Sequence, residues 1–346
     1  MNILYLSAHS ILEFDEVRLF TQLGHDVFSP GAYIRGEGDG KRPALTVPEH
    51  PELIAAMEAV PGGVEHAKAN LPDALIDWAD AIIVSAFEHT WIAPQWRRIK
   101  GKRVIWRTIG QSVEHNERMM AGFFRDGLEI VRYSPKERNI PGYAGESALI
   151  RFAKDPTDWH GWTGHVPAVI NFTQSLAQRD PFTNWGFWEQ ATQGLERIPM
   201  GPGSEAIGGT GERTYPEMQQ ALRDYRAYLY TGTQPASYTL GLIEAMMTGI
   251  PVVSIGPSWM RVFPYGPDLF EGHEIAYPGA FSDDPEAARR VLVALLDDPD
   301  YALSVSVSQR QRAIDLLGVH TIRPQWADFL GGPVVEFAHE RATVTA

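Results

Sequence analysis

Strand-like and helix-like segments alternate along almost the whole chain, and that alternation limits the fold more than any other feature. NILYLSA (2–8) reads as a strand, EFDEVRLFTQLG (13–24) as a helix stopped by Gly24, and HDVFSPGAY as a strand with its exit turn. PELIAAMEAV and ALIDWA read as helices, DAIIVSA (80–86) as a buried strand, TWIAPQWRRIKG as a short helix and KRVIWRTIG (102–110) as another strand. The helix 113–127 and the strands EIVRYS and ALIRFA close a first unit. DPTDWHGWTGHVP (155–167), rich in Pro, Gly and Trp, reads as a connection. A second alternation follows, from AVINFTQ through RIPMG, AYLYT and TLGLIEAMMTG to PVVSIG, and then a long helical tail to QWADFL. Strands spaced by helices make parallel, doubly wound sheets. The expected fold is therefore α/β, with two Rossmann-like units facing across a cleft. The expected units are 1–165, 166–325 and a tail 326–346 that partly packs back on the first; residues 332–346 read as lacking regular structure.

In such sheets ligands bind outside the carboxyl ends of the strands. The loops that matter are SAHS, SAFEHT, RTIGQS, TQSLAQR, MGPGSE, TGTQPASYT and SIGPSW. Several familiar motifs fail there. If Gly203 opens a phosphate-binding P-loop, its lysine position is Gly209. No G-x-G-x-x-G follows the first strand, and neither H-E-x-x-H nor G-x-S-x-G occurs. No D-x-D ends a strand, so no metal ion is expected.

The 346 residues suffice for two domains, and 44% hydrophobic with 21% charged residues is ordinary globular composition. With no cysteine, disulfides, thiolate metal sites and cysteine nucleophiles are excluded. The N-terminus reads as a strand rather than a signal peptide, and no apolar run reaches the ~18 residues of a membrane span. A cytoplasmic protein is expected. The formal charge of −13 weighs against DNA or another nucleic acid as partner. A local basic run at 97–103 can meet phosphates or anionic headgroups peripherally, or it is a solvated helix end.

One stretch, TGTQPASYTLGLIEAMMTGIPVVSIG (231–256), carries the most chemistry. Ser237, Tyr238, Thr239 and Leu240 open an apolar helix. A helix N-terminus offers free N–H groups and partial positive charge to an anion; the plainer reading is N-capping by Ser or Thr. Glu244 is the one acid of that helix. It can accept ribose hydroxyls, or stand as a solvated helix glutamate.

The run YTLGLIEAMMTGIPVVSIG resembles the donor signature of two-domain (GT-B) nucleotide-sugar glycosyltransferases, specifically the retaining group 1, or family 4. The match covers about 20 residues and extends as architecture over 166–331; the first half matches in architecture alone. The resemblance implies a metal-independent sugar transfer from a nucleotide-diphosphate sugar, UDP- or GDP-linked, to an acceptor hydroxyl, with no obligatory cofactor. It places Glu244 on the ribose and the amides of Tyr238–Leu240 on the diphosphate. It implies cationic help from Arg179, supported by Ser175, or from Arg213. No lysine follows Lys154, so a cationic clamp in the second unit must be arginine. MGPGSE places Gly201, Gly203 and Ser204 beside the base. Two departures stand out: Ala236 replaces the first glutamate of the family's E-x7-E, and Gly110 and Gln111 occupy a strand tip where the family often has histidine.

On the acceptor side, His9 follows the first strand as a base, a ligand or a structural residue, and His115 is a second candidate. Ser10, Glu88, His89, Gln111 and Glu114 are polar residues at strand ends suited to hydroxyls. Trp159, Trp162, Trp185 and Trp188 form either a stacking platform or a packed seam. A small molecule, a glycan, a lipid and a hydroxymethylated pyrimidine of phage-type DNA all stand as acceptors. A nucleotide-sugar epimerase or hydrolase, or a non-catalytic nucleotide-sugar binder, are the competing readings.

Overall fold

The computed structural model describes residues 1–32, 40–86, 89–110, 112–256, 259, 268 and 280–331. Two sheets of parallel strands organise them. The first holds β1 (Asn2–Ser7), β2 (Asp26–Phe28), β3 (Ala81–Ser85), β4 (Arg103–Arg107), β5 (Glu129–Arg132) and β6 (Ala148–Leu149), in the order β2-β1-β3-β4-β5-β6. The second holds β7 (Val166–Phe172), β8 (Arg197–Met200), β9 (Tyr225–Tyr230), β10 (Val252–Ile255) and β11 (Phe281–Ser282), in the order β11-β10-β9-β7-β8. β3 and β10 are buried at every position, as strands covered by helices on both faces must be.

Helices α1 (Ser10–Gln22), α2 (Pro51–Glu58), α3 (Gly63–Ala69), α4 (Asp73–Trp78), α5 (Trp96–Ile99) and α6 (Glu114–Arg125) belong to the first half. α7 (Trp185–Ala191), α8 (Tyr215–Asp224), α9 (Leu240–Thr248), α10 (Pro285–Asp297) and α11 (Pro299–Leu317) belong to the second. Their ends follow local chemistry. Thr214 and Glu217 form a capping box on α8, Asp284 caps α10 ahead of Pro285, and Gly249 ends α9 at φ 104°.

The chain crosses between halves twice, side by side. Lys154 N donates to Leu317 O and Val319 N donates to Lys154 O, both at 3.0 Å. From there α12 (Val319–Leu330) returns to the first sheet, where Ile322, Trp326 and Leu330 pack with Ile3, Tyr5 and Phe20. The tail expected from 326 thus begins its return at Val319, and 332–346 lie outside the described residues.

In each sheet the first strand is flanked by the second on one side and the third on the other: β1 between β2 and β3, β7 between β8 and β9. These are topological switch points, where the exit loops diverge and leave a crevice. The exits of β4 and β5 meet the exit of β9. A Cβ added to Gly110, after β4, would lie 3.1 Å from Ala236 Cβ and 2.5 Å from Tyr133 Oη.

Candidate functional site

The site centres on Glu244, at the middle of α9. The helix is apolar on all sides and eight of its nine residues are buried, Glu244 at 2% exposure. An uncompensated carboxylate there would be costly, and two cations from elsewhere in the chain meet it. Arg42, on the loop after β2, donates from Nη2 to Glu244 Oε1, and Lys154, at the crossover, donates from Nζ to the same oxygen. Lys154 also reaches Asp15 Oδ2 of α1 at 2.6 Å. Burial pushes the Glu244 pKa up, but Arg42 and Lys154 outweigh it and hold the carboxyl below its ordinary value. Among the described residues no hydrogen bond reaches Oε2, which leaves that oxygen able to accept from a hydroxyl.

Thr239 caps α9, its hydroxyl accepting from Leu242 N at 3.4 Å. Gly241, in the first turn, is half-buried, and among the described residues nothing stands within 4 Å of where a Cβ would be. Thr239 and Leu240 open this turn, whose first backbone N–H groups have no partner within the helix and can meet an anion. Ser237 and Tyr238 are committed differently. Ser237 N donates to Tyr133 Oη at 2.7 Å, and Tyr238 Oη donates to Tyr133 O at 2.9 Å. Both residues are buried against the first half, so the Ser237 amide is already spent.

The other residues expected around a donor sit on the exits of β7 and β8. Ser175 N donates to Pro202 O at 2.7 Å, which brings Ser175 beside Gly203. Gly201 and Gly203 both adopt left-handed backbone, φ 103° and 82°, in this turn. Ser204 is fully buried and its hydroxyl accepts from Gly211 N, holding the loop rather than facing a ligand. Arg179 is half-buried, with a long 3.5 Å bond to Gln174 O. Arg213 contacts Thr210 Oγ1 at 3.3 Å and Glu217 at 3.9 Å. Among the described residues the cations on Glu244 are Arg42 and Lys154, not these two.

On the first half, His9 caps α1, its Nδ1 accepting from Leu12 N at 3.4 Å. The ring keeps an exposed edge while the cleft crowds it. Desolvation, then Lys154 and Arg42, lower its pKa to about 4. It is neutral at pH 7, and with Nδ1 accepting, the proton sits on Nε2. That state donates a hydrogen bond and does not take a proton. Ser10 begins α1 beside it. The exit of β3 and the start of α6 bring His89 and His115 together, ring centroids 5.7 Å apart, and among the described residues nothing bonds the buried His89 Nδ1. Glu114 is exposed and paired with Arg118 at 2.6 Å. Glu88, Gln111 and most of the loop after β10 lie outside the described residues.

The tryptophans separate. Trp159 is buried at the site against Tyr215, at 5.6 Å and 89°, whereas Trp188 sits in the core beneath β7 and β9. Trp162 donates to Tyr225 O at 2.8 Å. Sequence reasoning missed Arg42, Asp15, Tyr133 and Tyr215, and noted Lys154 only as the last lysine. The one sequence signal for Arg42 was a Lys-Arg pair in a Gly/Pro-rich loop after a strand.

No protein-family model and no curated protein matches the chain. Solved structures do. HepE of Anabaena, in complex with UDP and glucose, matches at TM-score 0.64 and 12% identity over 96% of this chain and 99% of that one. Sucrose-phosphate synthase from Thermosynechococcus elongatus matches at TM-score 0.67 and 13% identity, over 96% and 98%. A glycosyltransferase from Rickettsia africae matches at 0.65 and 11% identity, over 95% and 98%. These likenesses establish the two-domain GT-B fold over nearly the full chain.

Proposed function

We propose that this GT-B chain is a glycosyltransferase that takes its sugar from a nucleotide-diphosphate donor held between the two halves. The observation that carries the reading is Glu244: a charged carboxylate buried in an apolar helix, one oxygen held by cations and the other without a hydrogen bond among the described residues, one turn from the helix N-terminus. A nucleoside diphosphate needs that pairing, a hydroxyl acceptor for the ribose beside an N–H-rich, positive site for the phosphates. HepE binds UDP and UDP-glucose on the same fold, which supports a UDP-sugar here, with a GDP-sugar as the other base to test.

In this reading Glu244 Oε2 accepts a ribose hydroxyl. The amides of Leu240 and Gly241 and the dipole of α9 meet the diphosphate, whose charge grows as the glycosidic bond breaks. Retention of configuration and a mechanism without a metal ion belong to the proposal, and the charge on the leaving group then falls to α9 and nearby arginines. His9 donates Nε2–H to an acceptor or to the sugar, and the His89–His115 pair lines the acceptor side. No helix among the described residues is long and apolar enough to cross a membrane. We propose a cytoplasmic enzyme acting on an acceptor hydroxyl of a small molecule, glycan or lipid, with DNA disfavoured by charge.

A second reading draws on the contact of Gly110 with Ala236. It leaves no acid and little space at that position, which favours a nucleotide-sugar hydrolase or a binder that does not transfer. A thermal-shift screen against UDP-, GDP-, ADP- and CDP-sugars identifies the donor. Product analysis with and without added acceptors then separates the readings: transfer supports the first, acceptor-independent release of sugar the second. A screen in which no nucleotide sugar stabilises the protein overturns both.

A further inference from the structure

Residues 40–50 form a loop without helix or strand, and most of its positions are exposed. Arg42, at 4% exposure, is buried within it, as is His50 at its end, at 8%. The Arg42 guanidinium lies 4.9 Å from the Tyr215 ring centroid and 5.5 Å from that of Trp159, and it reaches Glu244 at the far end. Nη1 donates to Lys41 O at 2.6 Å. Sinking one arginine of an exposed loop costs hydration and rotamer freedom. Charge balance with Glu244 and Asp15, which share Lys154, accounts for a second cation here but not for a planar one set against two rings.

What Arg42 presents to the site is a flat group against two aromatic rings with N–H donors on a buried carboxylate. A nucleoside presents the same two features: a planar base that stacks, and ribose hydroxyls that donate. We infer that Arg42 competes with the base of the donor nucleotide for the Trp159–Tyr215 rings beside Glu244, and so sets the affinity and selectivity of the site. This rests on the donor reading above. The side chain is displaceable because it enters from a loop, whereas Lys154 is fixed by the crossover. Once displaced, its charge stands beside Lys41 at the cleft, where a diphosphate compensates for part of the lost pairing. A nucleoside without phosphates offers no such compensation, so competition weighs most on it.

Binding of uridine, UDP, guanosine and GDP to the wild-type chain and to Arg42→Ala and Arg42→Gln, by isothermal titration calorimetry, tests this. Competition reduces apparent affinity by the fraction of molecules in which the two rings are accessible, so removing Arg42 is expected to tighten nucleoside binding about five-fold or more, with a smaller gain for the diphosphate. Arg42→Gln keeps the stem over the rings and carries the test where Arg42→Ala fails to fold. Equal or weaker nucleoside binding in the folded variant overturns the inference and makes Arg42 a ligand contact or a structural pair. Absence of binding by all four compounds to every protein overturns the donor reading itself, a different result.

Discussion

The hydroxyl of Tyr133, at the exit of β5, accepts the backbone N–H of Ser237, two residues before the cap of α9, at 2.7 Å. The ring is fully buried, stacked on Phe152 at 4.6 Å and edge-on to Tyr238 at 4.8 Å. Burial, then the charge of Glu137, raise the phenol pKa well above its ordinary value, so it stays a neutral acceptor. The loop that shapes the N-terminus of α9 is thus held by the first half.

Tyr133→Phe removes that acceptor and leaves the Ser237 N–H buried. The expected loss is about 1–3 kcal/mol, read as the shift in urea midpoint with an unchanged slope. The donor loop then loses its anchor, so weaker donor binding is expected to accompany the destabilisation. A stability loss with unchanged donor affinity would make the contact purely structural.

Gly110 has φ 87°, and any side chain there runs into Tyr133 Oη and Ala236. Gly110→Ala combines left-handed strain with overpacking of a buried contact, for a destabilisation of about 1–3 kcal/mol. Ala236→Glu pushes against the same surface from the other side and is expected to cost as much, without restoring a sugar contact. Urea unfolding of the two variants checks the first expectation, and donor titration checks the second.

Glu244→Ala removes the carboxylate that Arg42 and Lys154 share and leaves Asp15 to face both buried cations. A loss of about 3–5 kcal/mol is expected, as for other broken buried pairs. Glu244→Gln keeps an acceptor oxygen for both cations and is expected to lose less. Thermal and urea unfolding of the two variants side by side measures the difference.

His9 and Asp15 give opposite pH signatures. His9 has a folded pKa of about 4, below its ordinary 6.5, so the unfolded chain binds more protons between those values. Its contribution to stability is complete above pH 6.5 and is lost as pH falls towards 4. Asp15 is raised from 3.8 to about 6 by burial, with Lys154 and Arg42 opposing the rise. The folded chain then binds more protons, so Asp15 costs stability progressively as pH rises from 3.8 to 6. His9→Asn, which keeps a cap for α1, is expected to flatten the acid side of the stability profile. Asp15→Asn is expected to gain relative stability from pH 4 to 6 and hold it above. Urea midpoints from pH 4 to 8 check both signs.

The alternation of NILYLSA, DAIIVSA, AVINFTQ and PVVSIG with amphipathic helices made the two parallel sheets legible, because strand and helix periods are local properties of the chain. Glu244 was legible for the same reason, as the only acid in a helix otherwise apolar on every side. Arg42 was not. A Gly/Pro-rich loop has no periodicity, and nothing local says that one of its cations travels to an acid 202 residues away. The spending of the Ser237 amide on Tyr133 was equally hidden, since it depends on how the two halves meet. His9 was legible as a residue after the first strand, but its tautomer comes from Leu12 and its lowered pKa from burial, Lys154 and Arg42.

The central claim is that Glu244 reads the ribose of a nucleotide donor. It is tested most directly by a cycle between Glu244→Gln and removal of the ribose hydroxyls, with affinities of the screened nucleotide diphosphate and its 2′,3′-dideoxy form measured for both proteins. A hydrogen bond to a charged group contributes about 1.5–3 kcal/mol, so the wild-type chain is expected to lose about ten-fold or more on the dideoxy compound. Glu244→Gln is expected to bind the parent nucleotide weakly and to lose little further. An equal penalty in the two proteins would show that Glu244 does not touch the ribose.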